Sequence, residues 1–404
     1  MKQKERFKLL FSALIIILMT FAFSLVNTCQ AASYKTYEIS KKTKPQSGYE
    51  KLSTYNKYTK DYYLIRSFLE TLEKQGGGTL YLKKGTYTIS NALYIPNNVT
   101  VRLEKGVVLK KGNKTGTKKF DPSGSIFSFC LTSKKDREGS VSKYNGVKNA
   151  KLIGEGNPVI DLDYVKDAIG VIVGHNPNIE IKGIVFKNMK SGHFIEMDAS
   201  KNVKVTKCKF MNHKDSENNV KEAINIDTPD KNTKGFNVKW SAQDKTPNIN
   251  VTIQNCTFKN LERAIGTHKY SENKYHSQIK ILNNTIDGCD NDAIRVMNWK
   301  DFQIENNTIK NVGKMSDGKR GILLSGASKF SVINNTFDKV SRPMQFIAWK
   351  NSGPGSQYKT TYNIVTKEEK KQLTNNIFKN LDEFMIRINK VYNEYTKDTE
   401  KIYL

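Results

Sequence analysis

Short segments in which apolar and polar residues alternate recur from residue 178 onward. The first reads NIEIKGIVFKN, and similar segments begin at residues 202, 250, 278, 302 and 330. Alternation with period two, together with frequent β-branched residues, predicts strands rather than helices. The apolar residue near the end of each segment recurs at intervals of 24, 48, 28, 23, 28 and 41 residues, at Phe186, Phe210, Phe258, Ile286, Ile309, Phe337 and Phe378. The interval of 48 equals two intervals of 24, so we expect a series of similar coils.

Repeats of this length made of short strands stack as a parallel β-helix, in which each coil pairs its strands with the coils on either side. Asparagine recurs at the end of the first strand of the repeats, at Asn255, Asn283, Asn284, Asn306, Asn307, Asn334 and Asn335. Asparagine tolerates a left-handed backbone and forms hydrogen bonds with the backbone around it. We therefore expect a structural ladder of asparagines at one corner of the coils.

The segment before the repeats has the pattern of an end cap. Residues 61–74, DYYLIRSFLETLEK, place Leu64, Phe68, Leu69 and Leu72 at helical spacing, and three glycines end the pattern at residues 76–78. A solenoid needs such a cap because its outer coil otherwise exposes apolar core and unpaired backbone. This helix, followed by GGGTLYLKKGTYTI and asparagine-rich coils, resembles the pectate-lyase/polygalacturonase superfamily. The resemblance covers roughly residues 60–390 and implies an all-β fold, a single-stranded right-handed parallel β-helix with an N-terminal capping helix.

The first residues have the pattern of a secretory signal peptide. A basic start, MKQKERFK, precedes a long apolar run, and small residues near Ala31 and Ala32 supply a cleavage site. An uncleaved membrane anchor is the alternative because the apolar run is long. We predict a signal peptide at 1–32, an N-terminal extension at 33–60, the β-helix at 61–392 and a tail at 393–404. The protein is expected to be secreted, in the extracellular space or at the cell surface, and monomeric, with no membrane contact after cleavage.

A second set of strands follows the repeats, and these strands also align. They are HFIEMD (193–198), EAINID (222–227), RAIGTH (263–268), DAIRVM (292–297) and RGILLS (320–325). Strict alternation points the third and fifth residues inward and the fourth and sixth toward solvent. The second position, small in most of these strands, is also expected to face outward and to leave room for a chain. Polar residues therefore gather on one face, at Glu196, Asp198, Asn225, Asp227, His268 and Arg295.

Three acids on this face are candidates for catalysis. Neighbouring rungs lie about 4.8 Å apart, which places Asp198 about 5 Å from Asp227 and Glu196 about 8 Å from Asp227. The shorter distance suits a pair that shares a proton or a retaining pair, and the longer one leaves room for the water of an inverting glycosidase. Crowded carboxylates raise one another's pKa, so that one stays protonated as the acid while another acts as the base. His268 lies beside Asp227 and can tune it or carry a proton.

Other residues are candidates for substrate binding. Arg295 and Lys269 can bind a carboxylate or sulfate. The polar wall around them adds Asn225 and the first-position residues Glu222, Arg263 and Asp292, whose direction at the turn the pattern leaves open. The loops 229–248 and 268–277 carry Trp240 and Tyr270, which either stack on sugar rings or pack under their own loops.

The same residues resemble part of the site of polygalacturonase-like glycosidases. Asn225-Ile226-Asp227 stands where that family has an Asn-x-Asp motif, and Gly266-Thr267-His268 is similar to its Gly-His-Gly. The family's adjacent Asp-Asp pair is missing from the next coil, which here carries Arg263 to His268. The resemblance therefore implies catalytic roles for Asp227 and His268 alone, and galacturonan specificity does not carry over.

Charge narrows the choice of partner. With 66 Lys and Arg against 39 Asp and Glu, the formal net charge is +27, which favours a polyanion. The lysines are scattered and no nucleic-acid-binding motif is present, so we expect an anionic polysaccharide and no nucleic acid. The four cysteines after the signal peptide, Cys130, Cys208, Cys256 and Cys289, have the spacing of neither a zinc site nor a disulfide framework and are expected to be buried thiols.

Three functions remain open. The first is a secreted carbohydrate-active enzyme that hydrolyses an acidic, uronate-containing polysaccharide by Asp/Glu acid–base catalysis, for which the sequence indicates no particular cofactor. The second is a polysaccharide lyase on the same scaffold, with a base drawn from His268, Lys269 and Arg295. Calcium, a possible cofactor of this lyase, would be held by Asp198, Asp227 and Glu196. The third is a non-catalytic surface protein that binds glycan through the same groove.

Overall fold

The coils predicted from the repeats are present in the computed structural model, which describes residues 35–216, 219–350, 359–391 and 399–404. The predicted signal peptide lies outside these residues. No helix in the described ranges is both long and apolar enough to cross a membrane. A 3₁₀ turn (Tyr49–Lys51) precedes helix α1 (Lys60–Lys74), and helix α2 (Lys367–Gln372) lies near the other end.

The strands of the described chain, in order, are β1 (Thr36–Ile39), β2 (Gly78–Leu82), β3 (Gly85–Ile89), β4 (Leu93–Tyr94), β5 (Val99–Leu103), β6 (Val107–Lys111), β7 (Ser125–Ser128), β8 (Ala150–Gly154), β9 (Val159–Asp161), β10 (Ile169–Gly174), β11 (Pro177–Lys182), β12 (Val185–Lys190), β13 (His193–Asp198), β14 (Lys201–Thr206), β15 (Lys209–Lys214), β16 (Glu222–Asp227), β17 (Ile249–Gln254), β18 (Thr257–Leu261), β19 (Arg263–Gly266), β20 (His276–Leu282), β21 (Thr285–Cys289), β22 (Ile294–Met297), β23 (Trp299–Glu305), β24 (Thr308–Val312), β25 (Arg320–Ser325), β26 (Ser328–Ile333), β27 (Thr336–Val340), β28 (Arg342–Phe346), β29 (Ile377–Leu381), β30 (Met385–Asn389) and β31 (Thr399–Tyr403).

Each coil contributes one strand to each of three long sheets. Sheet A runs β1-β2-β5-β8-β11-β14-β17-β20-β23-β26, and sheet B runs β3-β6-β9-β12-β15-β18-β21-β24-β27-β29. Sheet C runs β4-β7-β10-β13-β16-β19-β22-β25-β28-β30-β31. The pairing is parallel except between β30 and β31. The predicted all-β, right-handed parallel β-helix is therefore confirmed.

The repeating apolar residue of the sequence forms a stack in the core. Phe186, Phe210 and Phe258 pair in register on sheet B. Their ring centroids lie 5.0 and 4.8 Å apart, with the planes tilted by only 11° and 14°. All three are fully buried. Three successive coils thus stack their aromatic rings, and Ile286 and Ile309 continue the column on the next two coils. The interval of 48 residues is a single coil enlarged by the loop 229–248, so the expectation of two coils there was wrong.

The asparagine ladder is confirmed at the corner between sheets A and B. The Nδ2 atom of Asn284 donates to Oδ1 of Asn307 (3.0 Å), and Nδ2 of Asn307 donates to Oδ1 of Asn335 (2.9 Å). These side chains are buried. Their preceding neighbours Asn283 and Asn306 have positive φ angles of 55° and 58°. The ladder supplies hydrogen bonds to backbone groups that the corner removes from the sheets.

Both ends of the solenoid are covered. Helix α1 buries Leu64, Phe68, Leu69 and Leu72 as predicted, and it packs on β2, β3 and β4. Part of the predicted N-terminal extension is itself a strand, because β1 pairs with β2 at the edge of sheet A. At the other end β31, within the predicted tail, pairs with β30 and α2 packs on β26. The four cysteines of the described chain, Cys130, Cys208, Cys256 and Cys289, are buried free thiols, as expected.

Candidate functional site

Sheet C stacks the aligned strands in the register that the sequence predicted. Strands β13, β16, β19 and β22 are successive neighbours. Their paired residues are Glu196 with Asn225, Asp198 with Asp227, Glu222 with Arg263, and Gly266 with Arg295. His268 lies just beyond the paired part of β19, and its backbone N–H donates to Oδ1 of Asp227 at 2.7 Å. Residues far apart in the chain therefore become neighbours on one face.

The second position of these strands faces the core, so the expectation that it faces outward was wrong. A Cβ added to Gly321 would lie 2.6 Å from the ring of Phe337, a core residue of sheet B. Phe194, also at this position, contacts Phe186 and Phe210. The chain turns the corner from sheet B into sheet C here, so the second and third positions both point inward. Small residues at the second position make room for the aromatic stack, not for a ligand.

The fourth and sixth positions point away from the core, as expected, but they are covered rather than solvated. Glu196 is 8 % exposed, Asp227 2 % and Asp198 0 %. The cover next to them is the loop 229–248, whose Phe236 and Trp240 pack on Gly174, the β10 residue paired with Asp198. A Cβ on Gly174 would come 2.7 Å from the Trp240 ring, so this close approach requires glycine. The acids form a buried group beneath a loop.

The three acids have very different hydrogen bonding. Asn225 Nδ2 donates to both carboxylate oxygens of Glu196, at 3.1 and 3.2 Å. In the described part of the chain, the carboxylate oxygens of Asp198 meet no hydrogen-bond donor. Burial, then the charge of Glu196, and then that of Asp227 raise the pKa of Asp198 well above its usual range. Burial and the charge of Glu196 also raise the pKa of Asp227. Asp198 is therefore held in its protonated form.

A calcium ion does not fit these carboxylates. Calcium takes several oxygen ligands at about 2.3–2.6 Å, so its ligands must converge closely. Among the described residues, Asp198, Asp227 and Glu196 do not form a set whose oxygen atoms all lie within 4.8 Å of one another. The calcium expected for a lyase therefore has no site at these three residues.

The first positions carry a buried chain of ion pairs. Arg263 Nη1 donates to Oε1 of Glu222 at 2.6 Å, and its Nη2 lies 3.7 Å from Asp292. Asp292 in turn pairs with Arg320 at 2.9 Å. Burial acts to raise the pKa of Glu222, but the charge of Arg263, followed by smaller contributions, lowers it to about 2. Glu222, Arg263 and Asp292, predicted to bind substrate, are joined to one another by these ion pairs.

The partly exposed residues of the site are His268, Lys269 and Arg295. Burial, opposed by the charge of Glu222, lowers the pKa of His268 to about 3, so the imidazole is neutral. Burial lowers the pKa of Lys269 as well. It also lowers the pKa of Arg295 to about 10, and the guanidinium lies 5.2 Å from the ring centroid of Trp349.

The two aromatic residues expected to stack on sugars are buried. Trp240 is 4 % exposed and meets Phe236 edge-on, with ring centroids 5.2 Å apart. Tyr270 is fully buried against Met297 and Trp349. Both pack under their own loops, so neither offers a ring face to a ligand. The partly exposed aromatic residue at the site is Trp349, whose link to Arg295 depends on loop geometry that the sequence pattern does not contain.

Two further residues that support the site escaped the sequence analysis. His193 Nε2 lies 3.4 Å from Oε2 of Glu196, while its Nδ1 lies 2.6 Å from the backbone oxygen of Glu222. Asn248 Nδ2 donates to the backbone oxygen of Asp227 at 2.9 Å. His193 occupied the first position, where direction was left open. Asn248 follows a long loop, so no repeat position marked it.

Comparison with known proteins agrees with this architecture. The family model described as "Right handed beta helix region" matches residues 88–337 and 250–398. The chain belongs to this β-helix family. The predicted superfamily of right-handed parallel β-helices is thereby confirmed.

Relatives within the β-helix family include surface proteins. The chain is 28% identical over 253 residues to the plasmin and fibronectin-binding protein A of Streptococcus pneumoniae (strain ATCC BAA-255 / R6). The match covers 57% of this chain and 34% of that protein, about a third of the relative's length. Two structures of PfbA, a Streptococcus pneumoniae surface adhesin, superpose with TM-scores of 0.58 and 0.61 at 20% identity. They cover 83% and 82% of this chain and 76% and 85% of theirs, and show the shared fold.

Proposed function

We propose that this chain is a non-catalytic extracellular surface protein that binds an anionic polysaccharide on the face of sheet C. The observation that carries the proposal is the burial of the acids beneath the loop 229–248. A general acid must come within about 2.6–3.2 Å of the oxygen it protonates. Asp198 is 0 % and Asp227 2 % exposed, so a polymer has no path to either carboxyl group. The similarity to a plasmin and fibronectin-binding protein, whose structures are described as those of a surface adhesin, supports a binding role at the cell surface.

The ligand contacts are assigned to Lys269, Arg295 and Trp349. These three residues are partly exposed, whereas the acids beside them are covered. An arginine guanidinium binds a carboxylate or sulfate through two parallel hydrogen bonds. Arg295 lies over the Trp349 ring, which limits its motion and places an aromatic side chain beside the cation. The net charge of +27 raises the local concentration of polyanions around this face.

The test compares two pairs of charge-removing substitutions. We expect Lys269→Ala with Arg295→Ala to weaken binding of polygalacturonate by at least about tenfold in calorimetry, since each charged hydrogen bond contributes roughly 1.5–3 kcal/mol. The control, Lys204→Ala with Lys300→Ala, removes two exposed charges from sheet A and should leave affinity nearly unchanged. Equal losses in both pairs would show that binding follows net charge and that the site on sheet C is wrong.

A second candidate is acid–base cleavage of the same polysaccharide. The pKa values of Asp198 and Asp227 are raised, whereas the pKa of Glu222 is lowered. This separation favours cleavage, because an acid and a base need different pKa values. Products from a panel of uronate-containing and neutral polysaccharides, weighed by mass spectrometry, decide this question. A gain of water indicates hydrolysis, and a new double bond indicates elimination. Asp227→Asn should then abolish turnover and retain binding, whereas an intact substrate with wild-type protein excludes cleavage of that polysaccharide.

A further inference from the structure

Four side chains capable of holding a metal gather at the corner between sheets B and C, away from the buried acids. His213 belongs to β15, and Asp215 follows that strand directly. Glu262 lies between β18 and β19 on the next coil, and Asp290 follows β21 on the coil after that. Three successive coils thus deliver one imidazole and three carboxylates to the same place.

His213 is fixed with one nitrogen toward the carboxylates. Its side chain is nine-tenths buried, with 10 % exposed. Its Nδ1 lies 3.0 Å from the backbone oxygen of Asn260, which can only accept a hydrogen bond, so Nδ1 carries the proton in the neutral ring. The buried Nε2 then has no proton, and it has no hydrogen-bond partner among the described residues.

This arrangement places Nε2 of His213 where a positive charge is needed. The Nε2 lone pair points toward Oδ2 of Asp290 at 2.9 Å and Oδ1 of Asp215 at 3.5 Å. With the ring neutral these three electron-rich atoms would repel one another, whereas a positive charge at Nε2, either a second ring proton or a metal ion, attracts both carboxylates. A metal-ligating histidine characteristically donates its other ring N–H to a backbone carbonyl, as His213 does to Asn260. A cation between Nε2 and the carboxylates would turn this repulsion into attraction.

The distances and the surroundings fit a metal ion. Ligand atoms of His213, Asp215 and Glu262 all lie within 4.8 Å of one another. Metal–ligand bonds of about 2.0–2.2 Å separate neighbouring ligands by little more than 3 Å, so small movements complete the site. A cavity of about 380 Å³ is lined by Asp215, Glu262 and Asp290, and it gives an entry path and room for water ligands.

Glu262 is already held in position by the segment that follows β15. Its Oε1 accepts a hydrogen bond from the Ser216 backbone N–H at 2.5 Å, and its Oε2 accepts from the Ser216 hydroxyl at 2.7 Å. The Lys221 backbone N–H donates to Oε2 at 2.8 Å. Both carboxylate oxygens keep further acceptor capacity, because an ionised carboxylate accepts about four hydrogen bonds.

We propose that His213, Asp215, Glu262 and Asp290 bind a divalent transition-metal ion. One imidazole with carboxylates suits Zn²⁺ or Mn²⁺, whereas Ca²⁺ prefers oxygen ligands alone. The ion fastens three coils together at their common corner. By fixing Glu262 it also holds the backbone of Lys221, which donates to that carboxylate. Lys221 lies directly before strand β16, which carries Glu222, Asn225 and Asp227. The site is structural, and it supports the strand at the centre of the face of sheet C.

The test is calorimetric titration of ZnCl₂ into chelator-treated full chain. We expect one saturable site in the wild-type protein. Asp215→Asn should weaken it by more than the roughly 10- to 100-fold that loss of an outer hydrogen-bond partner costs. The Asp215 side chain is 96 % exposed, so this substitution does not threaten folding. His213→Asn can keep the hydrogen bond to Asn260 while removing the metal-binding nitrogen, and should have the same effect.

The control is Glu368→Gln, which removes one exposed carboxylate from α2 and should leave Zn²⁺ affinity unchanged. Bound Zn²⁺ should also raise the melting temperature of the wild-type protein and not that of Asp215→Asn. The proposal is overturned if the wild-type protein shows no saturable binding at millimolar Zn²⁺, or if Asp215→Asn binds as tightly as wild type. If His213→Asn does not fold, the Asp215 variant decides alone.

Discussion

Two fully buried carboxyl groups on sheet C have opposite electrostatic surroundings. Glu222 has Arg263 at 2.6 Å, and its pKa falls to about 2, so it is ionised at neutral pH. Asp198 has no donor among the described residues and faces Glu196 and Asp227, so it keeps its proton. The difference arises from the neighbouring charges, since burial acts on both groups in the same direction: cations, Arg263 foremost, lower the pKa of Glu222, whereas two acids raise that of Asp198. An unpaired buried acid of this kind costs stability.

Asp198→Asn is therefore expected to stabilise the protein at neutral pH. The unfolded chain releases the Asp198 proton near 3.8, whereas the folded chain keeps it to a much higher pH. Unfolding thus releases a proton in between, and stability falls as pH rises through this window, by up to about 1.4 kcal/mol for each pH unit. Asparagine has no such proton, and its amide can donate to the neighbouring carboxylates. Urea unfolding should give a gain of at least about 1 kcal/mol at pH 7 and almost none at pH 3.

Asp163→Asn is the matched control, because Asp163 forms only a half-exposed ion pair with Lys110. It should change stability by less than about 1 kcal/mol at either pH. A gain for Asp198→Asn that is equal at pH 3 and pH 7 would contradict the assignment of a proton to Asp198.

At the scale of single residues, the sequence predicted which side chains lie side by side on sheet C better than it predicted their exposure to solvent. Stacking of the aligned strands placed Asp198 beside Asp227, because register follows from the repeat. The exposure of these acids to solvent depends on the loop 229–248, whose Phe236 and Trp240 pack on Gly174 beside Asp198. No periodic pattern encodes where such a loop folds, so the sequence predicted a solvated face where the structure has a covered one.

The elements of the coil depend on corners as much as on strands. Asn307, in the buried asparagine ladder, donates to the backbone oxygens of Ile281 and Glu305 and accepts from the Asn284 backbone. Strand positions followed from alternation alone. Alternation did not predict that the second position of the sheet C strands faces inward. The chain bends at the corner, and two successive residues face the core there. Period-two patterns hold within a strand and fail where the strand turns.

Asn307→Ala should destabilise the protein by about 3 kcal/mol. The substitution removes a side chain that is 1 % exposed and leaves several buried polar groups unpaired, each at a cost of about 1–3 kcal/mol. The control is Asn202→Gly in a second, more exposed row of asparagines, Asn178, Asn202 and Asn250, which we call the outer ladder. Asn202 has a φ of 57° and donates to the Asn178 side chain at 2.9 Å. Glycine keeps that backbone conformation, so the loss should be below about 1 kcal/mol. If urea unfolding gave equal losses of stability for the two variants, the buried ladder would contribute no more to stability than the outer ladder.

On the scale of the whole molecule, stability is expected to be divided along the solenoid axis. Each coil pairs its strands with the coil before it and the coil after it, and contact between more distant coils comes from loops, as where the loop 229–248 meets residues 139–143. The sequence predicted this architecture from its repeats, and it predicted the cap from helical spacing at residues 61–74. Folding on such a scaffold propagates between neighbours, and damage to one end should stay near that end.

Leu72→Asp tests this expectation at the N-terminal cap. Leu72 is fully buried where α1 covers the first coil, so a carboxylate there loosens the helix from β2, β3 and β4. Hydrogen exchange read by mass spectrometry should become faster in α1 and in strands β2 to β6, while β24 to β30 keep their protection. Lys60→Asp places the same carboxylate at the exposed first residue of α1, where the helix dipole favours it, and should leave exchange unchanged. Faster exchange throughout the chain would mean that the coils unfold together, because the cap then supports the whole solenoid rather than its first turns.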